Sequence, residues 1–408
     1  MEISEGKLIM TGGRVILPEG IRDGIDVICD RSTGKISDII PAGGRVYGDN
    51  DIVLDAGGRY VSPGFIDIHV HGGGGHDFMD GTVEAYLGAA RAHAVHGTTS
   101  MIPTTLTCTD EELLRTFRVF DEASSRNKNG AHLLGLHLEG PYFSPEQSGA
   151  QDPSYLQKPR PESYLPILDS TDKIMRWSVA PELEGAMELG DCLRNRGILP
   201  SIAHSNAVCE IAEEAFMHGY THVTHLYCAM SSVTRRNAFR TAGIVEAAYL
   251  TDGMTVEIIA DGVHLPAPLL RFVYKFKEPG KTVLCTDAMR AAGMPDGEYL
   301  LGSLEKGQKV IVEDGVAKLP DRSAFAGSVA TTDRLVRTMM SMAGVPLEEA
   351  VRMMTETPAR VMRIDDRKGS IEAGKDADII VFDGQINVSC VVRSSEIIYS
   401  DNTKRHTK

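Results

Sequence analysis

The sequence has no apolar run approaching the roughly 20 residues that cross a bilayer; its longest apolar stretches are broken by charge or glycine. Its N-terminus, MEISEGKLIM, lacks the basic-then-apolar form of a secretory signal, so no membrane partner and a cytoplasmic location are expected. No CxxC occurs, which argues against a thiolate zinc knuckle. The seven cysteines are odd in number and show no tight pairing, as expected of reduced thiols. Positive charge is in deficit, with 42 Lys and Arg against 56 Asp and Glu and a net charge of −14. A chain this acidic is a poor partner for nucleic acid through a broad surface, although a local basic pocket stays open. Internal repeats and low-complexity tracts are also absent.

What is present is an ordinary globular composition, 42% apolar and 24% charged, spread over 408 residues. From Phe65 onward eight short apolar runs recur: FIDIHVH at 65–71, TTSMI at 98–102, HLLGLHLE at 132–139, RWSVAPE at 176–182, ILPSIAH at 198–204, THVTH at 221–225, TVEIIA at 255–260 and KTVLCTD at 281–287. Helical stretches with apolar residues at three-to-four spacing lie between them, for example 82–96, 110–127, 183–196, 206–218 and 266–277. Eight strands alternating with helices predict an α/β fold, a TIM-like (β/α)8 barrel over residues 63–365. The flanks read as alternating strands divided by Gly, Asp and Asn turns. Residues 1–62 and 366–408 are therefore expected to pair into one small β-sandwich domain. Within 298–320, EYLLGSLEKGQKVIVEDGVAKLP reads as an antiparallel hairpin turning at EDG after the eighth strand.

In such a barrel, residues at the strand C-termini face the active-site mouth. His69 and His71 close the first run, and their spacing puts both imidazoles on one face of an extended chain. Glu139 closes the third run, His204 the fifth, His225 the sixth and Asp287 the eighth. Four imidazoles and two carboxylates form a divalent-metal constellation suited to zinc or a related ion, with Glu139 able to bridge two positions. HxH alone is a weak pattern, and His204 or His225 alone reads as a core histidine; barrel order makes the group a metal site. His76, His93, His96, His132, His137, His218 and His222 lie on helices, loops or earlier strand positions and are read as structural, while His406 in the polar tail is uninformative. Asp287 is read as the general base and acid of amide hydrolysis, taking one proton from water and returning it to the leaving nitrogen.

These residues closely resemble the N-acetylglucosamine-6-phosphate deacetylase family of the amidohydrolase superfamily. The matching runs are PGFIDIHVHG, GLHLEGPYFSPEQSGAQ, AHS, THLYCAM, DGVH, TDAM, FAGS and GSIEAGKDADIIVFD, in order along nearly the whole chain. The resemblance implies a metal on Glu139, His204 and His225, with His69 and His71 able to hold a second ion, so that one or two divalent ions, zinc above others, serve each subunit. It makes Asp287 the catalytic acid and base. His264, Gln151 and the backbone around Ala229 become substrate contacts. The sequence departs from the family pattern after His225: THLYCAMSSVTRRNAFRTAG places Cys228, a pocket-lining thiol, where members carry asparagine, and lacks their Pro-Gly. Arg236 is the best positional match for the family's phosphate-binding arginine, with Arg235 and Arg240 as substitutes. The implied reaction converts N-acetylglucosamine 6-phosphate to glucosamine 6-phosphate and acetate, in a homodimer. A related N-acetyl amino sugar, the galactosamine epimer or a non-phosphorylated one, is the alternative substrate. A cyclic amidase of the dihydroorotase type fits less well, because RWSVAPE lacks the bridging lysine such enzymes carry on the fourth strand. A non-catalytic relative would be expected to have lost ligands or the acid, and this chain keeps all of them.

Overall fold

The computed structural model describes residues 6–401 and 405–406, the last two and Arg236 by their backbone alone. Its centre is a (β/α)8 barrel of TIM type. The barrel strands are Phe65–Val70, Thr98–Pro103, a third strand broken into His132–Leu133 and Leu136–Glu139, then Ile174–Val179, Leu199–Ile202, His222–Val223, Thr255–Ile258 and Thr282–Leu284. Neighbours pair in parallel throughout. Parallel bridges Val70–Ala288 and Thr104–His137 complete the ring. Each of the eight runs read from the sequence is one of these strands.

The helices form where capping and periodicity coincide. Asp110–Arg126 starts on Thr109, whose hydroxyl accepts from the Glu112 amide while the Glu112 carboxylate reaches back to the Thr109 amide. Three acidic residues occupy its first turn and Arg126 its last, matching the helix dipole, and Leu113, Thr116, Phe117, Phe120 and Ala123 form its buried stripe. Val83–Ala94, Ala186–Asn195, Cys209–Met217 and Ala267–Lys277 match the remaining predicted helices. Pro161–Ser170, which contains Pro166, and the seven-residue Ile244–Leu250 are too interrupted or short to stand out by periodicity.

Strands from both chain ends pair with each other. One six-stranded sheet runs in the order Glu396–Ser400, Val388–Arg393, Ile379–Phe382, Tyr60–Pro63, Arg14–Leu17, Gly20–Arg22. A five-stranded sheet contains Ile52–Asp55, Lys7–Thr11, Ile25–Asp30 and Lys35–Pro41, with Arg405–His406 at its edge. Leu8, Met10, Val27 and Leu54 of the second sheet and Val15, Val61, Ile379 and Val381 of the first belong to one buried apolar cluster. Tyr60–Pro63 passes into the first barrel strand through Gly64, where a Cβ would lie 2.2 Å from the Thr99 side chain.

The predicted 298–320 hairpin is a three-stranded meander, Gly297–Leu301, Gln308–Glu313 and Val316–Lys318. Its second turn falls at EDG, with Asp314 and Gly315 both at positive φ. The extra reversal comes from the Gly302–Gly307 loop, held by the Gly307 amide on the Ser303 carbonyl at 2.7 Å. The meander delivers Phe325 and Gly327 to the barrel mouth, where both line the cavity.

Helix Val83–Ala94 meets the glycine loop after the first strand through His93, whose Nε2 donates to the Gly72 carbonyl at 2.8 Å. Burial pushes the His93 pKa down to about 4. The unfolded chain takes up this proton near pH 6.5 and the folded protein only near 4, so stability present above 6.5 is lost as pH falls through that window. Thermal unfolding at stepped pH is expected to show a falling midpoint from pH 6.5 to 4, with a shallower fall in His93→Gln.

Candidate active site and metal centre

All six residues singled out for metal binding and proton transfer meet at one end of the barrel. His69, on the first strand, and His71, just beyond it, point their Nε2 atoms at each other across 3.3 Å. Glu139 enters between the histidines: its Oε1 lies 3.4 Å from His69 Nε2, 3.4 Å from His204 Nε2 and 3.2 Å from His225 Nε2, and its Oε2 lies 3.3 Å from His71 Nε2. His204 and His225 Nε2 are 3.2 Å apart. Asp287 Oδ1 approaches His71 Nε2 at 3.1 Å and His69 Nε2 at 3.5 Å. Among the described residues three buried groups of ligand atoms are compact enough to hold an ion: His69–His71–Glu139 and Glu139–His204–His225, which share Glu139, and His69–Glu257–Cys285 behind the His69 ring.

The hydrogen bonds behind the rings test whether a cation suits the centre. His69 Nδ1 donates to Glu257 Oε1 at 2.6 Å, His71 Nδ1 to the Thr104 carbonyl at 3.3 Å and His204 Nδ1 to the Gln147 carbonyl at 2.7 Å. Each ring thereby turns a bare Nε2 lone pair toward the others and toward carboxylate oxygen. Lone pairs facing lone pairs at 3.2–3.3 Å call for positive charge between them. The protonation preferences agree. Burial lowers the His71 pKa, but Asp287 and Glu139 override it and raise it to about 9. Burial opposes ionisation of Glu139, yet the surrounding His69, His204 and His225 hold its carboxyl well below the usual range. Asp287 shows the same balance, with His69 and His71 outweighing burial. A divalent ion displaces those protons and meets the same demand.

Backbone strain accompanies the convergence. His204, His225 and Asp287 all adopt left-handed φ, at 46°, 28° and 47°. The turn at Asp287 is clamped by its amide on the His69 carbonyl at 2.9 Å and by the Ser328 amide on its own carbonyl at 2.7 Å. Gly327 makes that approach possible, since a Cβ there would sit 2.9 Å from the Asp287 carbonyl oxygen.

A cavity of about 510 Å³ opens over these groups. A model of the Amidohydrolase family matches residues 60–406. An N-acetylglucosamine-6-phosphate deacetylase of Lysinibacillus sphaericus is 33% identical over 370 residues, covering 90% of this chain and 92% of that one. The human protein of the same name is 32% identical over 359 residues, 86% of each. The chain belongs to the N-acetylglucosamine-6-phosphate deacetylase family of amidohydrolases. Solved structures of this family superpose over nearly the full length. That of Pasteurella multocida gives a TM-score of 0.88 at 29% identity, covering 96% of this chain and 99% of that one. A Mycobacterium smegmatis variant in complex with N-acetyl-D-glucosamine-6-phosphate gives 0.87 at 28%, covering 97% and 100%.

The substrate contacts implied by the family resemblance also line the cavity, with one group apart. His264 does so with Nδ1 donating to Asp261 Oδ2 at 2.8 Å and its ring 4.6 Å from Phe325. Ala229, at φ 45°, accepts the Ser205 amide at 3.1 Å. Cys228 faces the cavity too, and burial, with Asp287 and Asp261 nearby, pushes its thiol up. Arg235 and Arg240 stand elsewhere. Thr234–Arg236 and Phe239–Thr241 form a small antiparallel hairpin on which Arg235 and Arg240 are exposed, and the side chain of Arg236 lies outside what is described. Among the described residues no lysine or arginine lines the cavity, whereas Glu146 does.

Sequence reasoning missed the supports. Glu257 and Arg176 lie fully buried inside the barrel beneath the histidines, joined at 2.5 Å. The available sign was a charged residue within an otherwise apolar stretch, Glu257 in TVEIIA and Arg176 in IMRWSV. Gln151 has a firmer structural role than its substrate-facing expectation implied. Its Nε2 donates to Glu139 Oε2 at 2.7 Å and its Oε1 accepts the Thr107 amide at 2.9 Å. Gln151→Leu strands that buried amide and releases Glu139. Urea unfolding is expected to report a loss of about 1–3 kcal/mol.

Proposed function

We propose that the chain is a metal-dependent hydrolase that removes the acetyl group from N-acetylglucosamine 6-phosphate, giving glucosamine 6-phosphate and acetate, in amino-sugar catabolism. The observation that carries this reading is the Asp287 carboxylate beside the shared His/Glu ligand groups, in a chain one-third identical to curated deacetylases. On this reading Glu139, His204 and His225 would hold one zinc ion, and His69 and His71, with Glu139, would hold a second. An ion held there would supply polarisation of the acyl carbonyl and a lowered pKa of water, and imidazole with carboxylate is a donor set suited to zinc. Asp287 Oδ1 accepts the proton from the attacking water and delivers it to the departing amine. His264, with Nδ1 fixed by Asp261, offers Nε2 to a substrate oxygen. Gln151 orients Glu139 and closes that wall of the cavity.

The two sheets from the chain ends are taken as one small β-sandwich, residues 1–62 and 366–408, beside a barrel of 63–365. A homodimer is part of the proposal, with the Arg235, Arg236 and Arg240 hairpin as the source of guanidinium for the phosphate. Support for a dimer comes from exposed Phe239 on that hairpin and from exposed Leu250, Phe272 and Phe276. A cytoplasmic location is in keeping with an odd count of seven cysteines and no CxxC spacing in the sequence.

A second reading has a specific observation behind it. The described cavity wall carries Glu146 and no lysine or arginine, which favours a neutral N-acetyl amino sugar. Steady-state kinetics on N-acetylglucosamine 6-phosphate, its galactosamine epimer and free N-acetylglucosamine decides between them. The phosphate is expected to raise kcat/KM about 10–100-fold, the worth of one charge-assisted contact; equal values would remove phosphate from the assignment. Asp287→Asn is expected to retain its metal content while kcat drops about 10²–10⁴-fold. An active, metal-replete variant would take Asp287 out of the mechanism.

A further inference from the structure

Beneath the cavity the barrel holds a fixed carboxylate that the proposed chemistry leaves without a task. Glu257 is fully buried on the seventh strand. Its Oε1 accepts from His69 Nδ1 at 2.6 Å, and its Oε2 accepts from an Arg176 amino group at 2.5 Å and from His222 Nε2 at 3.3 Å. Arg176 is pinned in turn by Ser201 Oγ at 3.0 Å, Thr224 Oγ1 at 2.7 Å and the Ile68 carbonyl at 3.3 Å. The carboxylate therefore cannot swing away from His69.

We infer that Glu257 is a positioning residue for one half of the metal centre. It locks His69 in the Nδ1–H tautomer, keeps the Nε2 lone pair facing His71 and Glu139, and raises the basicity of that nitrogen. The other histidines are oriented by neutral backbone carbonyls or, for His225 Nδ1, by no hydrogen-bond partner among the described residues. His69 is thus the ring backed by a carboxylate, and an ion at His69–His71–Glu139 depends on Glu257 while an ion at Glu139–His204–His225 does not. Glu257 also meets the His225 amide at 3.3 Å, but that bond holds backbone and selects no ring tautomer. The inference rests on the metal-dependent reading above.

The test is zinc binding to the purified full chain, measured by competition with a chromogenic chelator. Glu257→Gln keeps the shape and an acceptor oxygen but removes the charge. One of the two zinc positions is expected to weaken about 10–100-fold, with the other unchanged. In a His69→Asn background, adding Glu257→Gln is expected to cause no further loss. Equal weakening of both positions, or additive losses in the double variant, would overturn the inference. So would wild-type protein that binds a single ion with an affinity Glu257→Gln leaves unchanged. Wild-type protein that binds no zinc would instead overturn the metal-dependent reading and the inference with it. Should Glu257→Gln fail to fold, histidine-selective ¹⁵N NMR of the zinc-loaded wild type still decides. His69 protonated on Nδ1 supports the assignment, and His69 protonated on Nε2 contradicts it.

Discussion

Four imidazole nitrogens and two carboxylates occupy one buried space, and the rest of the architecture serves that placement. Left to themselves these groups repel or must be neutralised by protons, because burial penalises each uncompensated charge. They stay together because five strands of a closed ring deliver them from different directions. The backbone is bent into left-handed φ at His204, His225 and Asp287 to finish the job, at a cost of about 1–3 kcal/mol each. Such costs persist only where neighbours leave no alternative. Here the Ser144 amide on the His204 carbonyl and the Ser328 amide on that of Asp287 remove it.

The barrel interior departs from the usual filling of branched apolar side chains. Asp67, His137, Arg176, Ser178, Ser201, Thr224 and Glu257 all lie buried there. Nearly every one finds a partner: Thr286 donates to Asp67 at 2.5 Å, His137 and Ser178 meet at 2.7 Å, and Ser178 and Thr224 at 3.0 Å. A satisfied polar network is rigid in direction, which an apolar core is not. That rigidity is what a centre needs when ring orientation decides whether a lone pair or an N–H points at the ion. Apolar packing joins strands to helices through residues such as Leu136, Trp177, Leu189 and Val256, and a second buried cluster links Ile66, Ile102, Leu199 and Val283 of four barrel strands.

Much of this was legible in the sequence, for a physical reason in each case. The eight strands are short apolar runs that end on polar residues, and the ends are where the barrel opens, so the sequence alone places His69, His71, Glu139, His204, His225 and Asp287 together. Apolar residues at three-to-four spacing marked Asp110–Arg126 and its fellows. The inward-facing supports were harder, since Glu257 or Arg176 in one strand has no local partner; its partners are 81 positions apart and meet only on closure. Gln151 was placed at the site, but its grip on Glu139 depends on how a long loop folds back. Arg235, Arg236 and Arg240 were proposed for the phosphate through the family resemblance, and their placement on a hairpin turning at Asn237–Ala238, with both φ positive, was not legible from the sequence.

The central claim is that a cation belongs between Glu139, His204 and His225. Metal analysis of the purified protein combined with anomalous diffraction at the zinc edge tests it most directly. The account predicts at least one ion per chain, with density within bonding distance of Glu139 Oε1 and of both Nε2 atoms, and loss of hydrolysis on its removal. No density at that position, with full activity after exhaustive chelation, would contradict it.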